Sequence, residues 1–515
     1  MSERSILVLG AGVMQIPALE TARRNGWHLI VADGNPTALG RDLADAFHVV
    51  DLKDTERLLA LARGYRDAGR LDGVFTAGTD FSASVAFVAE SLGLPGLSYE
   101  TAVNATDKSR MRRLFATHGV PSPRYCEVAS GAGLEAAELP PFPVVVKPVD
   151  NMGARGVRRV DTAAELPDAV ATALEFSRSG RAIVEEFIGG PEFSIDALVV
   201  NGELTVCGIA DRHIAFPPYF IELGHTMPTA RGERERAEIE RVLGHAARAL
   251  GIRNGAAKGD IFLTPRGGVV GEVAARLSGG YMSGWTYPYA SGVPLTEAAM
   301  RLALGLDPGD LAPRYHYTSA ERASVSIPGV VAEVRGLDAA RARPLVRELF
   351  ERTAVGDEVT FPRNNTEKCA NVISAAPGRD DAITEAEDAV AGIVVRLEAA
   401  HPATGAFLDD PGTPTAFDLS RGENRRALAA MPPGDARPGL RCYRPLPAPG
   451  AEHARDWNYR SLSRTLAMLS QIAGMEPAEN GPAHGRRFWE YLLKGGLQGA
   501  LFYLDTINRE TSFPE

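Results

Sequence analysis

Two lysines stand where the sequence predicts the end of a strand and the start of a helix. Lys147 follows three valines at 144–146, and Lys108 follows Asp107 at the start of a helix predicted over residues 108–118. An ammonium group beside a buried apolar run needs an anionic partner, because an unpaired buried charge is costly. Two such lysines meeting at one anion suit the α- and β-phosphates of a nucleotide. Either one alone fits a surface lysine equally well.

A glycine-containing loop follows Lys147 directly. It runs over residues 150–156, and Gly153 and Gly156 would let the backbone fold closely over a phosphate. The alternative is an ordinary hairpin loop, but the lysine just before the loop favours phosphate binding.

A third candidate segment is the strand predicted over residues 182–187. It carries Glu185, Glu186 and Phe187, continues into Ile188, and is followed by two glycines, a proline and Glu192. Backbone groups at the end of such a strand can bond to a flat ring, and the Glu192 carboxylate suits ribose hydroxyls. The alternative is that the three glutamates form a solvated strand edge.

Asp260 and Glu272 fall on strands predicted over residues 260–263 and 269–273, which would form a hairpin. Paired carboxylates suit Mg²⁺ that bridges phosphates. Lys258 would share a face with Asp260, because it lies two residues away on a strand. Arg276 is placed to stabilise a transferring phosphoryl group or to bind a substrate carboxylate. The alternative is two unrelated surface acids.

The elements that must position these residues begin with an α/β region. Residues 5–9, 29–32 and 73–76 are predicted strands and residues 14–25 a helix, and this alternation predicts a parallel, doubly wound sheet. Gly10 and Gly12 resemble the start of a dinucleotide-binding turn, but its third glycine would fall at Gln15. A nicotinamide- or flavin-dependent oxidoreductase stays an alternative, as does an anionic substrate group at the helix start.

The remaining pattern predicts a chain of several domains with α/β and α+β folds. We expect domains at 1–105, 106–318, 319–400 and 401–515, with a small lid at about 120–188 and the nucleotide and metal site in 189–318. Further predicted elements are a helix at 233–250, strands at 324–327 and 371–375, helices at 339–350 and from 382, and helices at 459–473 and 486–508.

The last hundred residues give the weakest functional signal. Residues 409–450 are rich in proline and glycine and are predicted to be irregular. The aromatic residues beyond them are expected to form a helical core, with a substrate lid or a dimer contact as the alternative: Trp457, Tyr459, Phe488, Trp489 and Tyr491.

Composition and charge narrow the class of protein. Apolar residues make up 45% of the 515 residues and the net charge is −10, which argues against a general nucleic-acid or membrane binder. The four cysteines are scattered, which disfavours a zinc site or a disulfide framework. No signal peptide and no membrane-spanning run is recognised, so a cytoplasmic location is expected.

Together these features resemble the ATP-grasp superfamily, especially its carboxylate–amine ligases of the L-amino acid ligase type. The resemblance covers about residues 5–397 and rests on these motifs: Asp107-Lys108, Val-Val-Lys-Pro at 145–148, the glycine-containing loop, Glu-Glu-Phe-Ile at 185–188 with its continuation to Asp196, the hairpin ending at Arg276, and Gly-His-Thr-Met-Pro at 224–228. It implies an ATP-grasp fold behind a pre-ATP-grasp domain, with a C-terminal helical extension beyond the match.

The resemblance also implies residue roles and cofactors. ATP and Mg²⁺, with Mn²⁺ as an alternative metal, would be held by phosphate-binding Lys108 and Lys147, adenine-binding Glu185 with the backbone of Glu186 and Ile188, ribose-binding Glu192, metal ligands Asp260 and Glu272, and Arg276 at the γ-phosphate. The family often has asparagine where this chain has Ala274, so the number of metal ions is left open. His225 either has a functional role, in which it orients a phosphate or helps to deprotonate the amine, or is a turn residue near solvent.

The implied reaction is the phosphorylation of a carboxylate to an acyl phosphate, followed by attack of an amine. Two small-molecule substrates are then expected, with no nucleic-acid or membrane partner, and a homodimer is left open. A carboxylase that activates bicarbonate and a non-catalytic nucleotide-binding protein remain as alternatives.

Overall fold

The computed structural model describes residues 4–129, 139–417, 426, 428–446 and 454–509. The chain divides into two compact units, Met1–Ala320 with Ala375–Arg379, and Glu321–Ser374 with Asp380–Glu515. The finer domain borders expected from the sequence stay predictions. Within the described ranges, no helix has the length and apolar character needed to cross a membrane.

The N-terminal sheet of the first unit is parallel throughout. Its four strands, in the spatial order β3-β2-β1-β4, are β1 Ser5–Leu9, β2 His28–Asp33, β3 Ala46–Val49 and β4 Gly73–Phe75. Apolar side chains are buried on both faces of β1, with Ile6 and Val8 in one cluster and Leu7 and Leu9 in another. Burial on both faces is typical of a doubly wound sheet, so that prediction is confirmed.

A second sheet carries the lid region. Its strands, in the spatial order β5-β8-β6-β7, are β5 Tyr125–Val128, β6 Val144–Pro148, β7 Arg158–Val160 and β8 Ala182–Glu186. All of its pairings are antiparallel, and an apolar cluster joins it to the helix Leu166–Phe176.

The third sheet of the first unit carries the carboxylate hairpin. Its strands, in the spatial order β13-β12-β9-β10-β11, are β9 Glu192–Val200, β10 Glu203–Ala215, β11 Ile221–Met227, β12 Gly255–Thr264 and β13 Gly267–Ala274. The predicted hairpin is confirmed, and Asp260 lies directly opposite Glu272 in its register. Two of the strands, β10 and β11, have no counterpart among the strands predicted from the sequence.

The helices of the first unit cover these sheets. They are α1 Ile16–Arg24, α2 Thr55–Asp67, α3 Ser82–Ser91, α4 Tyr99–Asn104, α5 Lys108–His118, α6 Leu166–Phe176, α7 Glu233–Leu250, α8 Tyr287–Ser291 and α9 Leu295–Ala303. A π-helical turn at Met282–Thr286 precedes α8. The predictions for α5 and α7 are confirmed to the residue.

The second unit corrects two predictions. Its strands are β14 Thr318–Ser324, β15 Gly329–Arg335, β16 Val346–Glu351, β17 Glu358–Val359, β18 Ala370–Ala376, β19 Val394–Leu397, β20 Cys442–Tyr443 and β21 Glu476–Pro477. The helix predicted over 339–350 is wrong beyond Arg341, where a short helix ends, because β16 pairs antiparallel with β18 and pairing overrides local propensity. The strand predicted at 324–327 is also wrong, since β14 ends at Ser324.

The helices of the second unit are α10 Leu337–Arg341, α11 Arg379–Gly392, α12 Pro402–Asp409, α13 Leu462–Ala473 and α14 Arg486–Arg509. Phe488 and Trp489 of α14 are buried, and their rings pack around Tyr443 and His484. The aromatic core expected in this region is therefore confirmed. Gly496 breaks the helical geometry of α14 with φ 60° and ψ −144°.

Candidate active site

Lys108 is fixed by the way α5 begins. The Asp107 carboxylate accepts hydrogen bonds from the backbone N–H groups of Ser109 and Arg110, which caps the helix at Lys108. The Lys108 ammonium lies 3.1 Å from the Glu272 carboxylate and donates to the Asn151 carbonyl at 2.8 Å. The lysine predicted from one motif is thus in contact with the carboxylate predicted from another.

Lys147 is paired inside the lid sheet. Its ammonium lies 2.5 Å from the carboxylate of Glu185, which is only 2% exposed. The same carboxylate accepts bonds from Arg112 at 2.8 and 3.3 Å. Burial alone would raise the pKa of Glu185, but the charges of Arg112 and Lys147 outweigh it and lower the pKa. Glu185 is therefore an ionised counter-ion here, and its expected adenine contact stays a prediction.

The neighbouring residues build the wall at the end of β8. The Glu186 carboxylate pairs with Arg124 at 3.1 Å, so its side chain points away from Lys147. The Phe187 ring stacks on Phe220 at 6.4 Å, and the Arg159 guanidinium lies 4.4 Å from the Phe187 ring. Ile188 follows at the end of this wall. A flat ring bound beside this backbone would meet aromatic surface on one side.

The glycine-containing loop is anchored to the end of α6. The Asp150 carboxylate accepts bonds from Ser177 and Ser179, and the Asn151 amide donates to the Phe176 carbonyl at 2.7 Å. Gly153 and Gly156 have φ of +70° and +69°, a conformation that other residues rarely adopt. Glycine adopts this conformation without strain at both positions, whatever the loop binds.

Arg212 is a central residue of the site that the motifs did not reveal. Its guanidinium contacts Glu192, lies 2.7 Å from Glu222 and 3.2 Å from Asp260. Burial would lower the pKa of Arg212, but the three carboxylates raise it well above its usual value. Burial, with Asp260 and Glu222 nearby, raises the pKa of Glu192 despite Arg212. The ribose-binding role of Glu192 stays a prediction.

Asp260 and Glu272 form the candidate metal pair. Asp260 accepts a bond from Ser194 at 3.1 Å and contacts Lys258, which shares its strand face as expected. Burial would raise the pKa of Glu272, but Lys108, Lys258 and Lys147 outweigh it and lower the pKa. Glu272 is therefore held as a carboxylate that can accept a cation.

The two carboxylates can supply part of the ligand shell of Mg²⁺, with other ligands completing it. Within the described residues, no group of three or more His, Cys, Asp or Glu side chains could hold a metal ion by itself. Ala274, opposite Lys258 in the hairpin, supplies no oxygen ligand. Magnesium commonly binds to one or two carboxylates and completes its shell with phosphate oxygens and water. Two facing carboxylates beside Lys108 and Lys258 meet that requirement.

Arg276 differs from the other cations of the site. It donates to the Leu277 carbonyl at 2.9 Å, and in the part of the chain that the structure describes no carboxylate pairs with it. The loop after it is held by the buried Asp196, which accepts bonds from the Ser278 N–H at 2.9 Å and the Ser283 hydroxyl at 2.6 Å. Arg276 is therefore positioned but not neutralised.

His225 lies below the turn that follows Arg276. Its Nε2 is 3.3 Å from the Glu222 carboxylate. A Cβ added at Gly280 would lie 2.8 Å from Glu222 and 3.2 Å from the His225 ring, so the turn packs closely on this pair. The structure places His225 beside Arg212 and its carboxylates, while its predicted catalytic role stays a prediction.

The N-terminal glycine turn is filled by a side chain. Gln15 accepts a bond from the Gly12 N–H at 3.1 Å and donates to the Ala77 carbonyl at 2.5 Å. A Cβ added at Gly10 would lie 3.0 Å from the Gln15 side chain. In the dinucleotide fingerprint the second glycine lets the backbone approach the pyrophosphate, and the third allows the helix to pack closely on the strand. Here the N–H of Gly12, at the second position, is already bonded to the Gln15 side chain that occupies the third. The occupied turn argues against the oxidoreductase alternative.

Two of the site's cations were missed by the sequence motifs. Arg112 stands one helical turn after Lys108, so the i, i+4 spacing was an available signal that both face the same way. Arg212 stands in a strand that was not predicted, and nothing local marks it as inward-facing. Its partners Glu192, Glu222 and Asp260 come from three other strands.

Family models match three parts of the chain. They are an ATP-grasp N-terminal domain over residues 19–96, an ATP-grasp domain over 140–284, and an L-amino acid ligase C-terminal domain 2 over 324–398. The matches include the lysine of β6, the candidate metal hairpin and Arg276.

Similar proteins point the same way. An uncharacterized protein of Sinorhizobium fredii is 28% identical over 385 residues, 73% of this chain and 79% of that protein. Carnosine synthase 1 of Homo sapiens is 26% identical over 461 residues, 82% of this chain. The match covers 52% of that protein, so this chain spans about half its length.

A solved structure confirms the fold. The L-amino acid ligase from Bacillus licheniformis superposes with a TM-score of 0.67 at 23% identity, covering 77% of this chain and 99% of that one. The ATP-grasp fold expected from the sequence is therefore confirmed. The chain belongs to the ATP-grasp superfamily and is an enzyme of its ADP-forming carboxylate–amine ligase type.

Proposed function

We propose that this enzyme phosphorylates a small carboxylate with ATP and couples the acyl phosphate to an amine, forming an amide or peptide bond. One observation carries the proposal. Lys108 is buried and Lys147 is partly buried, and their ammonium groups pair with the carboxylates of Glu272 and Glu185. Asp260 lies opposite Glu272 on the facing strand. A nucleotide phosphate can replace a carboxylate as the partner of a lysine, because both are anionic acceptors.

In this proposal the lysines bind and orient the ATP phosphates. Lys147 turns from Glu185 to the phosphates, and Glu185 keeps Arg112 as its counter-ion. Lys108 leaves Glu272, which frees that carboxylate to bind a metal together with Asp260. Glu192 binds the ribose, and the β8 backbone around Glu186 and Ile188 binds the adenine.

A bound Mg²⁺ would be held by Asp260 and Glu272, and would neutralise charge on the β- and γ-phosphates. Arg276 binds the substrate carboxylate and stabilises the charge that develops as the γ-phosphoryl group is transferred. The loop around Gly153 and Gly156 closes over the phosphates and excludes water, which would otherwise hydrolyse the acyl phosphate.

The amine then attacks the acyl carbon and releases phosphate. His225 is our candidate to accept the proton that the amine loses, since its ring lies beside Glu222 under the turn after Arg276. The similar proteins support an amine as the second substrate, because they include a carnosine synthase and an L-amino acid ligase. The cytoplasmic location and the homodimer considered from the sequence stay predictions.

Hydroxylamine trapping tests the proposal without knowledge of the amine. The enzyme is incubated with ATP, Mg²⁺, hydroxylamine and one carboxylate at a time, and hydroxamate and ADP are measured. We expect hydroxamate to form in proportion to ADP for at least one small carboxylate. ADP formation that requires bicarbonate and yields no hydroxamate would instead identify a carboxylase. Absence of ADP formation with every carboxylate–amine pair would contradict the proposal.

A further inference from the structure

An apolar cavity of about 620 Å³ lies inside the first unit, beside Arg276. Among the described strands, β4 is an edge of its sheet, and it forms one wall with Phe75. Helix α3, the start of β12 and the end of α9 form the others, and the lining side chains are mostly apolar, among them Leu97, Leu277 and Leu306. The size and lining are those of a small-molecule site.

The walls of the cavity meet at two close contacts. A Cβ added at Gly73 would lie 2.3 Å from the Ala303 carbonyl oxygen, and one added at Gly305 would lie 3.1 Å from Pro95. β4 and α9 therefore touch there, and the segment after α9 touches the segment after α3. The volume of about 620 Å³ leaves room for a side chain of several carbons.

The polar groups of the cavity include Arg276, Thr76 and Ser82. The Thr76 hydroxyl is engaged with the Leu9 carbonyl and Thr79, whereas Arg276 pairs with no carboxylate within the described residues. Ser82 begins α3, a ten-residue helix without a side-chain cap. An unpaired guanidinium at an apolar cavity suits a molecule with one anionic group and one apolar group.

We propose that this cavity receives the apolar side chain of the carboxylate substrate, whose carboxylate lies against Arg276. The proposal rests on the function proposed above and names the substrate class: a carboxylate with an aliphatic or aromatic group rather than a polar one. Each buried methylene then adds to binding, because the cavity walls remove apolar surface from water.

The first test compares substrates in the hydroxylamine assay. Glycine, alanine, norvaline and leucine form a series of growing apolar side chains, and asparagine is a polar match for leucine in shape. We expect kcat/KM to rise about fourfold per methylene, and leucine to exceed asparagine about tenfold or more. Asparagine equal to leucine, or a flat series, would overturn the inference while leaving the ligase proposal intact.

A cavity-filling variant locates the side chain. Ala86→Leu places bulk into the wall formed by α3, and Ala83→Leu makes the same change on that helix outside the cavity lining. We expect Ala86→Leu to lower kcat/KM for leucine about tenfold and to leave glycine within about twofold. The Ala83→Leu variant should change neither. Equal losses for glycine and leucine in Ala86→Leu, with ATP affinity intact, would contradict the cavity assignment.

If Ala86→Leu does not fold, Leu306→Ala tests whether the substrate side chain occupies the cavity. This change enlarges the same cavity, so kcat/KM for phenylalanine should rise relative to alanine by about tenfold. An unchanged ratio would overturn the inference. If wild type forms neither ADP nor hydroxamate with any carboxylate, the function proposed above fails, and this inference fails with it.

Discussion

Arg212 and Arg460 are both buried arginines, yet the net shifts of their pKa values are opposite. Burial lowers the pKa of each. At Arg212 three carboxylates outweigh burial and raise the pKa well above its usual value, whereas at Arg460 the pKa stays lowered although Asp456 opposes the shift. The partners of Arg460 also include the backbone carbonyls of Ala391 and Ile393.

The kind of partner that each arginine has distinguishes a cluster that can bind a ligand from one that only stabilises the fold. A charge neutralised by side chains of other strands can exchange those partners for a phosphate or a metal ion without breaking secondary structure. A charge satisfied by backbone carbonyls cannot, because those groups belong to the fold. The cluster around Arg212, Lys108 and Glu272 is of the first kind, and the cluster around Arg460 is of the second.

The largest effect is expected from Glu272→Gln, which keeps the shape and removes the charge from the exchangeable cluster. Loss of the metal ligand should raise the barrier by about 4 kcal/mol, so ADP and hydroxamate formation should fall about a thousandfold. ATP binding should fall less, because Lys147 remains. Glu203→Gln, an exposed carboxylate on β10, is the control. Turnover within about tenfold of wild type would remove Glu272 from the metal site.

Arg460→Met and Arg212→Met test the difference between the two arginine clusters directly. Each leaves a buried acid without its partner, so each should lower the free energy of unfolding by about 3–5 kcal/mol. Mg²⁺ in excess should recover part of the loss, about 2 kcal/mol, only in Arg212→Met, because the Asp260 carboxylate that loses its partner is also one of the two candidate metal ligands. Denaturant titrations with and without Mg²⁺ measure both.

The exposed Arg487→Met is the control for those two variants. Arg487 is 50% exposed and pairs with Asp409, so its loss should cost less than about 1 kcal/mol. If Mg²⁺ restored the free energy of unfolding equally in Arg212→Met and Arg460→Met, the proposed distinction between the two clusters would be wrong.

Lys147→Ala should weaken ATP binding by about 2 kcal/mol, or roughly thirtyfold, the range of a hydrogen bond to a charged group. The fold should persist, because Glu185 keeps Arg112. Calorimetry measures the affinity, and Lys53→Ala, on an exposed turn of the N-terminal region, is the control. Unchanged ATP affinity in folded Lys147→Ala protein would contradict the assignment of Lys147 as a phosphate-binding residue.

The smallest effect concerns pH. The pKa of Glu185 in the folded protein lies below its ordinary value of 4.5. Its ion pairs therefore stabilise the fold fully above pH 4.5, and this stability is lost as the pH falls toward the lowered pKa. Glu185→Gln should flatten the acid limb of the stability curve compared with wild type. Superimposable acid limbs would contradict the assignment of Glu185 as a counter-ion.

The parts of the fold that the sequence predicted are those set by short-range pattern. The helix at 108–118 has its capping Asp107 and its terminal Gly119, and the hairpin of Asp260 and Glu272 has two alternating strands. The helix predicted over 339–350 failed because its apolar residues suit either a helix or a strand, and the pairing with β18 decides.

The site residues that could be predicted are likewise those marked by short-range sequence pattern. Lys147 and Glu272 were recognisable from neighbouring residues, and the loop glycines from their conformational role. Arg212 was not, because its three acid partners lie on other strands and are brought together only by the sheet. Nor was the apolar cavity, whose walls are separated by more than two hundred residues of sequence.

Arg112 also connects two strands of different sheets, which restricts how they can move. Its guanidinium binds Glu185 of β8 and also donates to the Gly271 carbonyl of β13 at 2.5 Å. Strand β8 is thereby tied to the hairpin of Asp260 and Glu272 through helix α5. A lid that swings must pivot about this tie, so its far edge, β7 and the loop around Gly153, travels furthest. Amide hydrogen exchange should accordingly be slowest at β8 and fastest at that edge.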